Sequence, residues 1–222
     1  WRFSIVFGEL TRVLGAIKST LSGAASALSF KNARDRRNAV VGLLEVYFLI
    51  KDCTEEAETL VADVKPNPVT TISSLEPDQA MAKIRQWDTA IRRQGIRLVQ
   101  LQERLLGQNS LAVIDPDLEE RLREIVGNKM DRAESLHGIG AALFFYNMFP
   151  VADTAEEKAR YVALMVGEEG TSLDMERISN EIYTLREVLE GYRQLVLNMA
   201  GRDEVLALSD KAREITKMQE IP

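Results

Sequence analysis

The sequence predicts an all-α protein: an antiparallel bundle of long helices, with additional helices at the C-terminal end. Apolar residues recur at alternating three- and four-residue steps on almost every segment long enough to be a helix, and that period repeats one helix face. No segment sustains the alternation of a half-buried strand, and the Asn-Gly and Asp-Gly pairs that close tight hairpins do not occur. Long three-four seams also favour near-antiparallel packing at a crossing angle of about 20°.

The first seam is Phe3, Phe7, Leu10, Leu14, Ile17, Leu21, Ala24 and Leu28, with Gly15, Gly23, Ala24 and Ala25 small enough to admit a close neighbour. The second, after the charged stretch 31–37, is Val40, Leu43, Tyr47, Ile50, Thr54, Ala57, Val61 and Val64, and Pro66 and Pro68 stop it. Its stretch 40–50 is apolar on nearly every side except at Glu45. That is too short for a membrane span and suits the centre of a bundle. Residues 65–76 read as a loop.

Pro77 sits at the first turn of a third helix, with Asp78 favourable to its dipole and a seam of Ile84, Trp87, Ile91, Leu98, Leu101 and Leu105 before Gly107. Asp115-Pro116 opens a fourth helix, with Asp117, Glu119 and Glu120 in its first turn, reaching about residue 149. After Pro150, Thr154 and Glu157 have capping-box spacing for a helix over 155–166. Beyond Gly167 and Gly170, a seam of Met175, Ile178, Ile182, Leu185, Leu189, Tyr192, Val196 and Met199 ends at Gly201. A last amphipathic helix carries Val205, Leu208, Ala212 and Ile215. This organisation divides into a four-helix core over 1–150 and a helical extension over 151–222 that packs on the core or mediates assembly.

At 222 residues and 45% apolar content the chain can bury a sizeable core. Its net charge of −6 and pI near 5.1 disfavour a surface coated with phosphate-binding groups. Cys53 is the single cysteine, so no intramolecular disulfide or CxxC-type zinc site is expected, and a reducing cytoplasm is the expected compartment. The opening Trp1-Arg2-Phe3 lacks an initiator methionine, and Glu9, Arg12 and Lys18 break its apolar run. It is therefore expected to be trimmed or internal sequence and not a secretory signal. Phosphate-cradling glycine loops and the G-x-S-x-G elbow are absent, and no cofactor or metal is expected. The densest basic clusters, Arg34, Arg36 and Arg37, and Arg92, Arg93 and Arg97, could meet phosphates, but their interspersed acids and helical spacing favour ordinary solvated faces.

His137 is the only histidine, so any histidine chemistry passes through it. Arg132 and His137 form Arg-x4-His, which resembles the signature of HEPN-family ribonucleases over six residues. That resemblance implies proton transfer by His137 at the ribose 2′-hydroxyl or the leaving oxygen, charge stabilisation by Arg132, and a site shared by two protomers. The family often has Asn or Asp after the arginine, where this chain has Ala133. Glu134 and His137 form Glu-x-x-His, as in ferritin-like carboxylate metal sites, for which Glu45 is the best further ligand; a second Glu-x-x-His cannot exist here, and a Glu45 at a helix edge explains its place in the apolar run at lower cost. Glu55-Glu56-Ala57-Glu58 looks like half of the acidic pattern of MazG-type pyrophosphatases, but the matching Glu-x-x-Asp on a following helix is not evident, and the solvated face of an amphipathic helix is a sufficient account of these charges. An ordinary helix histidine making a hydrogen bond is the simplest account of His137.

The expectation is a non-catalytic helical interaction or oligomerisation module, part of a larger protein or complex, that binds a protein partner or itself. The alternative is a HEPN-like, metal-independent ribonuclease with Arg132 and His137 as its catalytic pair and RNA as its substrate.

Overall fold

In the computed structural model the described residues are 6–24, 33–65, 71, 72, 74–106, 120, 126–131, 133, 137 and 175–217. Among them the fold is an all-α bundle without strands. Five helices organise it: α1 Val6–Ala24, α2 Ala33–Asp63, α3 Pro77–Leu106, α4 Met175–Ala200 and α5 Arg202–Thr216. Residues 126–131, 133 and 137 are also helical. The helix expected over 155–166 and the boundary near 150 lie outside the described residues.

The seams settle which face each helix buries. α1 buries Phe7, Leu10, Leu14, Ile17 and Leu21, and α3 buries Trp87, Ile91, Leu98, Leu101 and Leu105. α4 buries Ile182, Leu185, Leu189, Tyr192 and Val196. α2 differs in kind: all eight residues from Ala39 to Val46 are buried, which a helix achieves only when neighbours enclose it on every side. It packs against α3, α4 and α5, while α1 packs against α4. No helix among the described residues is long and apolar enough to cross a membrane.

Helix directions follow from cross-helix anchors. Arg36 meets the end of α4, where its Nη2 donates to the Ala200 carbonyl at 3.2 Å, and the Tyr192 hydroxyl donates to the Leu43 carbonyl at 3.0 Å, so α2 and α4 run antiparallel. Arg104 reaches Glu45 and Lys83 reaches Asp63, which makes α3 antiparallel to α2 as well. α1 and α4 run the same way: the Gly8 amide in the first turn of α1 donates to Glu181 Oε2 at 3.1 Å, and Lys18 lies across Gly191. Gly191 permits that approach, since a Cβ there would stand 2.7 Å from Lys18 Nζ.

A single residue, Gly201, joins α4 to α5. Its φ of 80° and ψ of 156° lie in a region open essentially to glycine alone, and they let the chain reverse in one step. Arg36 then fastens the reversal, because the same guanidinium lies 3.0 Å from Glu204 Oε2 in the first turn of α5. The last two helices share the main hydrophobic cluster with α1, α2 and α3.

Two details depart from the sequence expectation. α2 begins at Ala33, so the charged residues Arg34 to Arg37 form its first turn and do not precede it. Residues 71 and 72, expected as loop, are helical. There Ile72 joins Leu60, Val64, Ile84, Trp87 and Ile91 in a second small cluster that seals the α2–α3 turn. The Ser74 hydroxyl donates to the Thr71 carbonyl at 2.8 Å in the same stretch.

Gly201→Ala is expected to destabilise the protein by about 2 kcal/mol, because alanine is strained at this φ and ψ. A chain of this size should then lose about 4–8 °C in Tm, read by circular dichroism. An unchanged Tm would show that the α4–α5 turn relaxes freely.

Candidate functional site

α2 carries Glu45, Asp52, Glu56 and Asp63 at steps of seven, four and seven, which places them along one stripe of the helix. Each meets a cation from a surrounding helix. Glu45 Oε2 lies 3.0 Å from Arg104 Nε, and Asp52 accepts from Arg213 Nη1 at 2.8 and 3.0 Å. Glu56 pairs with Arg97 and stands 3.8 Å from Arg93, and Asp63 accepts from Lys83 at 2.7 Å and from Trp87 Nε1 at 3.3 Å. Arg213 also stacks 4.0 Å over the Phe48 ring, so its stem and charge both face α2.

The lower part of this stripe lines an open groove of about 700 Å³ between α2 and α3. Asp52, Glu55, Glu56 and Asp63 stand on one wall and Arg85, Arg93 and Arg97 on the other. Its carboxylates are each matched within the protein, Glu55 by Lys51. A cation entering here would have to displace existing ion pairs, and the walls lack the enclosed apolar lining of a small-molecule pocket. The acids of Glu55-Glu56-Ala57-Glu58 point to three different cations, Lys51, Arg97 and Arg186, and Ala57 is core. Among the described residues no cluster of three or more potential ligands is placed to hold a metal ion.

Glu45 is 4% exposed. It sits inside the bundle and not at a helix edge, and Arg104 supplies its countercharge. The contact is Coulombic: Oε2 makes no hydrogen bond of good geometry despite the short distance. Burial pushes the carboxyl of Glu45 above its usual value, opposed by the positive charges of Arg104 and Lys211. Burial likewise raises Glu56, opposed chiefly by Arg97.

His137 packs on α3 at Gly95, where a Cβ would stand 3.2 Å from its Cε1. Its ring is half-buried and bonds the backbone carbonyl of Ile91, while Nε2 is buried without a hydrogen-bond partner among the described residues. Desolvation lowers its pKa, and the Ile91 carbonyl partly offsets that. Ala133, one turn before it, is fully buried, and Asp131 accepts from Gln102 Nε2 at 2.8 Å, so this helix is docked along α3. Arg132 and Glu134, the proposed partners of His137, lie outside the described residues. Cys53 is buried, and desolvation pushes its thiol up to about 12, which removes it as a nucleophile near neutral pH.

Ion pairing between helices was not visible in the sequence, which placed the acids on faces without saying which cation each would meet. Neither was the outer side of α3. Opposite its buried seam, Arg92, Ile96, Val99 and Glu103 repeat at steps of four, three and four, a second stripe that keeps Ile96 39% and Val99 47% exposed. Counting apolar positions against a second phase of the same helix would have found it. Comparisons with protein-family models, curated proteins and solved structures return no match.

Arg104→Met is expected to cost about 2 kcal/mol at pH 7.5. That is less than the 3–5 kcal/mol of a fully enclosed pair, because solvent screens the 38%-exposed Arg104 side. Without the arginine the pKa of Glu45 rises further. A carboxyl raised in the folded state favours folding below its unfolded pKa, and this advantage is lost as pH rises through the folded value. The cost should therefore shrink between pH 7.5 and pH 4.5 in urea unfolding; a pH-independent cost would contradict the pairing.

Proposed function

We propose that this chain is a non-catalytic helical interaction module, with the outer face of α3 as its contact surface. The observation that carries the proposal is the exposed apolar set on that face: Ile96 and Val99, with Met81 five helical turns before Val99 on the same line and 47% exposed. Three properties support it. The groove's carboxylates are neutralised internally, the thiol is enclosed, and His137 turns a buried nitrogen and not an accessible one to its surroundings. A protein surface is the partner class that suits an apolar stripe flanked by charged residues. A cytoplasmic setting belongs to the same proposal and rests on the single buried cysteine.

Two measurements test it. Immobilised protein should retain partners, itself or another chain, that are lost with a folded Ile96→Glu/Val99→Glu variant; retention independent of these residues would move the contact surface elsewhere. Total cellular RNA incubated with the protein and a chelator should stay intact. Cleavage that disappears in His137→Ala would instead establish a nuclease.

A further inference from the structure

We infer that the partner of α3 is α3 of a second copy of this chain, packed antiparallel about a two-fold axis between residues 97 and 98. This rests on the outer face of α3 being the contact surface. The register follows from the stripe itself. In an isologous pair residue i meets j and j meets i, so the positions that face each other sum to a constant. With the axis between 97 and 98, Ile96 faces Val99 of the second copy, and Val99 faces its Ile96. The four side chains form one apolar centre.

The next positions outward on the stripe are Arg92 and Glu103, and the same register sets each Arg92 against Glu103 of the other copy. Arg92 is exposed and already holds Asp88 at 2.8 Å, which orients the guanidinium along the helix surface. Glu103 is exposed and has no ion-pair partner among the described residues. An apolar centre flanked by two symmetric ion pairs is the arrangement of a small interface with a polar rim. Sliding the copies so that the axis falls at residue 94 places Ile96 against Arg92 and loses the apolar-on-apolar contact. The charge pattern and the apolar pair thus select the same register.

The paired stretch, residues 89–106, is about 27 Å long. One helix pair of that length buries less than the roughly 1,200 Å² of a standard interface, so the pairing belongs to the weak, reversible class. Dissociation constants of tens to hundreds of micromolar are expected.

Charge reversal distinguishes this register from general stickiness. Arg92→Glu sets carboxylate against carboxylate at both rim contacts, and Glu103→Arg sets guanidinium against guanidinium there. Each variant alone should self-associate at least about tenfold more weakly than the unmodified chain in sedimentation equilibrium up to about 500 µM. In an equimolar mixture of the two, a mixed pair sets like charges together at neither rim contact only if each copy supplies what the other lacks. Pairing Arg92→Glu with Glu103→Arg does so: the new glutamate faces the new arginine at one contact, and the native Arg92 faces the native Glu103 at the other. The mixture should therefore regain association. An unmodified chain that stays monomeric to about 500 µM, variants that associate undiminished, or a mixture no tighter than its components would each overturn the proposal. If self-association is absent but the Ile96→Glu/Val99→Glu variant still loses a different bound chain, the second copy is excluded and the contact surface stands. If neither binding depends on these residues, both fall.

Discussion

The enclosure of α2 is the constraint on which the rest of the bundle depends. Eight consecutive buried residues cannot be covered by a single partner, so α3, α4 and α5 must all reach the same helix, and α4 in turn carries α1. The one-residue reversal at Gly201 answers that demand, since it folds α5 back onto α2 immediately after α4 has packed there. Arg36 ties the three together by meeting the end of α4 and the start of α5 from the first turns of α2.

The same enclosure governs the electrostatics. Acids placed on a central helix are partly desolvated, and each raises the cost of folding unless a cation accompanies it. The surrounding helices supply those cations one by one: Arg104, Arg97 and Lys83 from α3, Arg186 from α4 and Arg213 from α5. Such pairs do little for net stability compared with apolar contacts, but they penalise any register in which a cation misses its acid. The carboxylates of a groove built this way are neutralised from within.

Most of the helices were legible in the sequence because burial follows a period. The third seam named five of the six buried positions of α3, and missed only Gln94, a polar residue that occupies the apolar phase and so carries no hydropathy signal. Pro77 and Gly201 marked the helix ends where φ restriction and φ freedom act directly. The helical residues 71 and 72 were not legible, since the cluster Ile72 packs against joins Val64, just past the end of α2, to Trp87 and Ile91 of α3, a juxtaposition that only the fold makes. Glu45 was visible as an interruption, but its partner Arg104 stands 59 positions away, and pairing at that range is set by the fold alone. His137 gave a motif-like spacing, whereas its surroundings depend on Gly95 and Ile91 of α3.

Native-state hydrogen exchange tests the central position of α2 most directly. If this helix is the enclosed axis of the bundle, amides of residues 39–50 should exchange only through global unfolding, with protection matching the unfolding free energy from denaturant and exceeding that of α1 and α5. Exchange of these amides through a local opening, before α1 or α5 exchanges, would contradict the account.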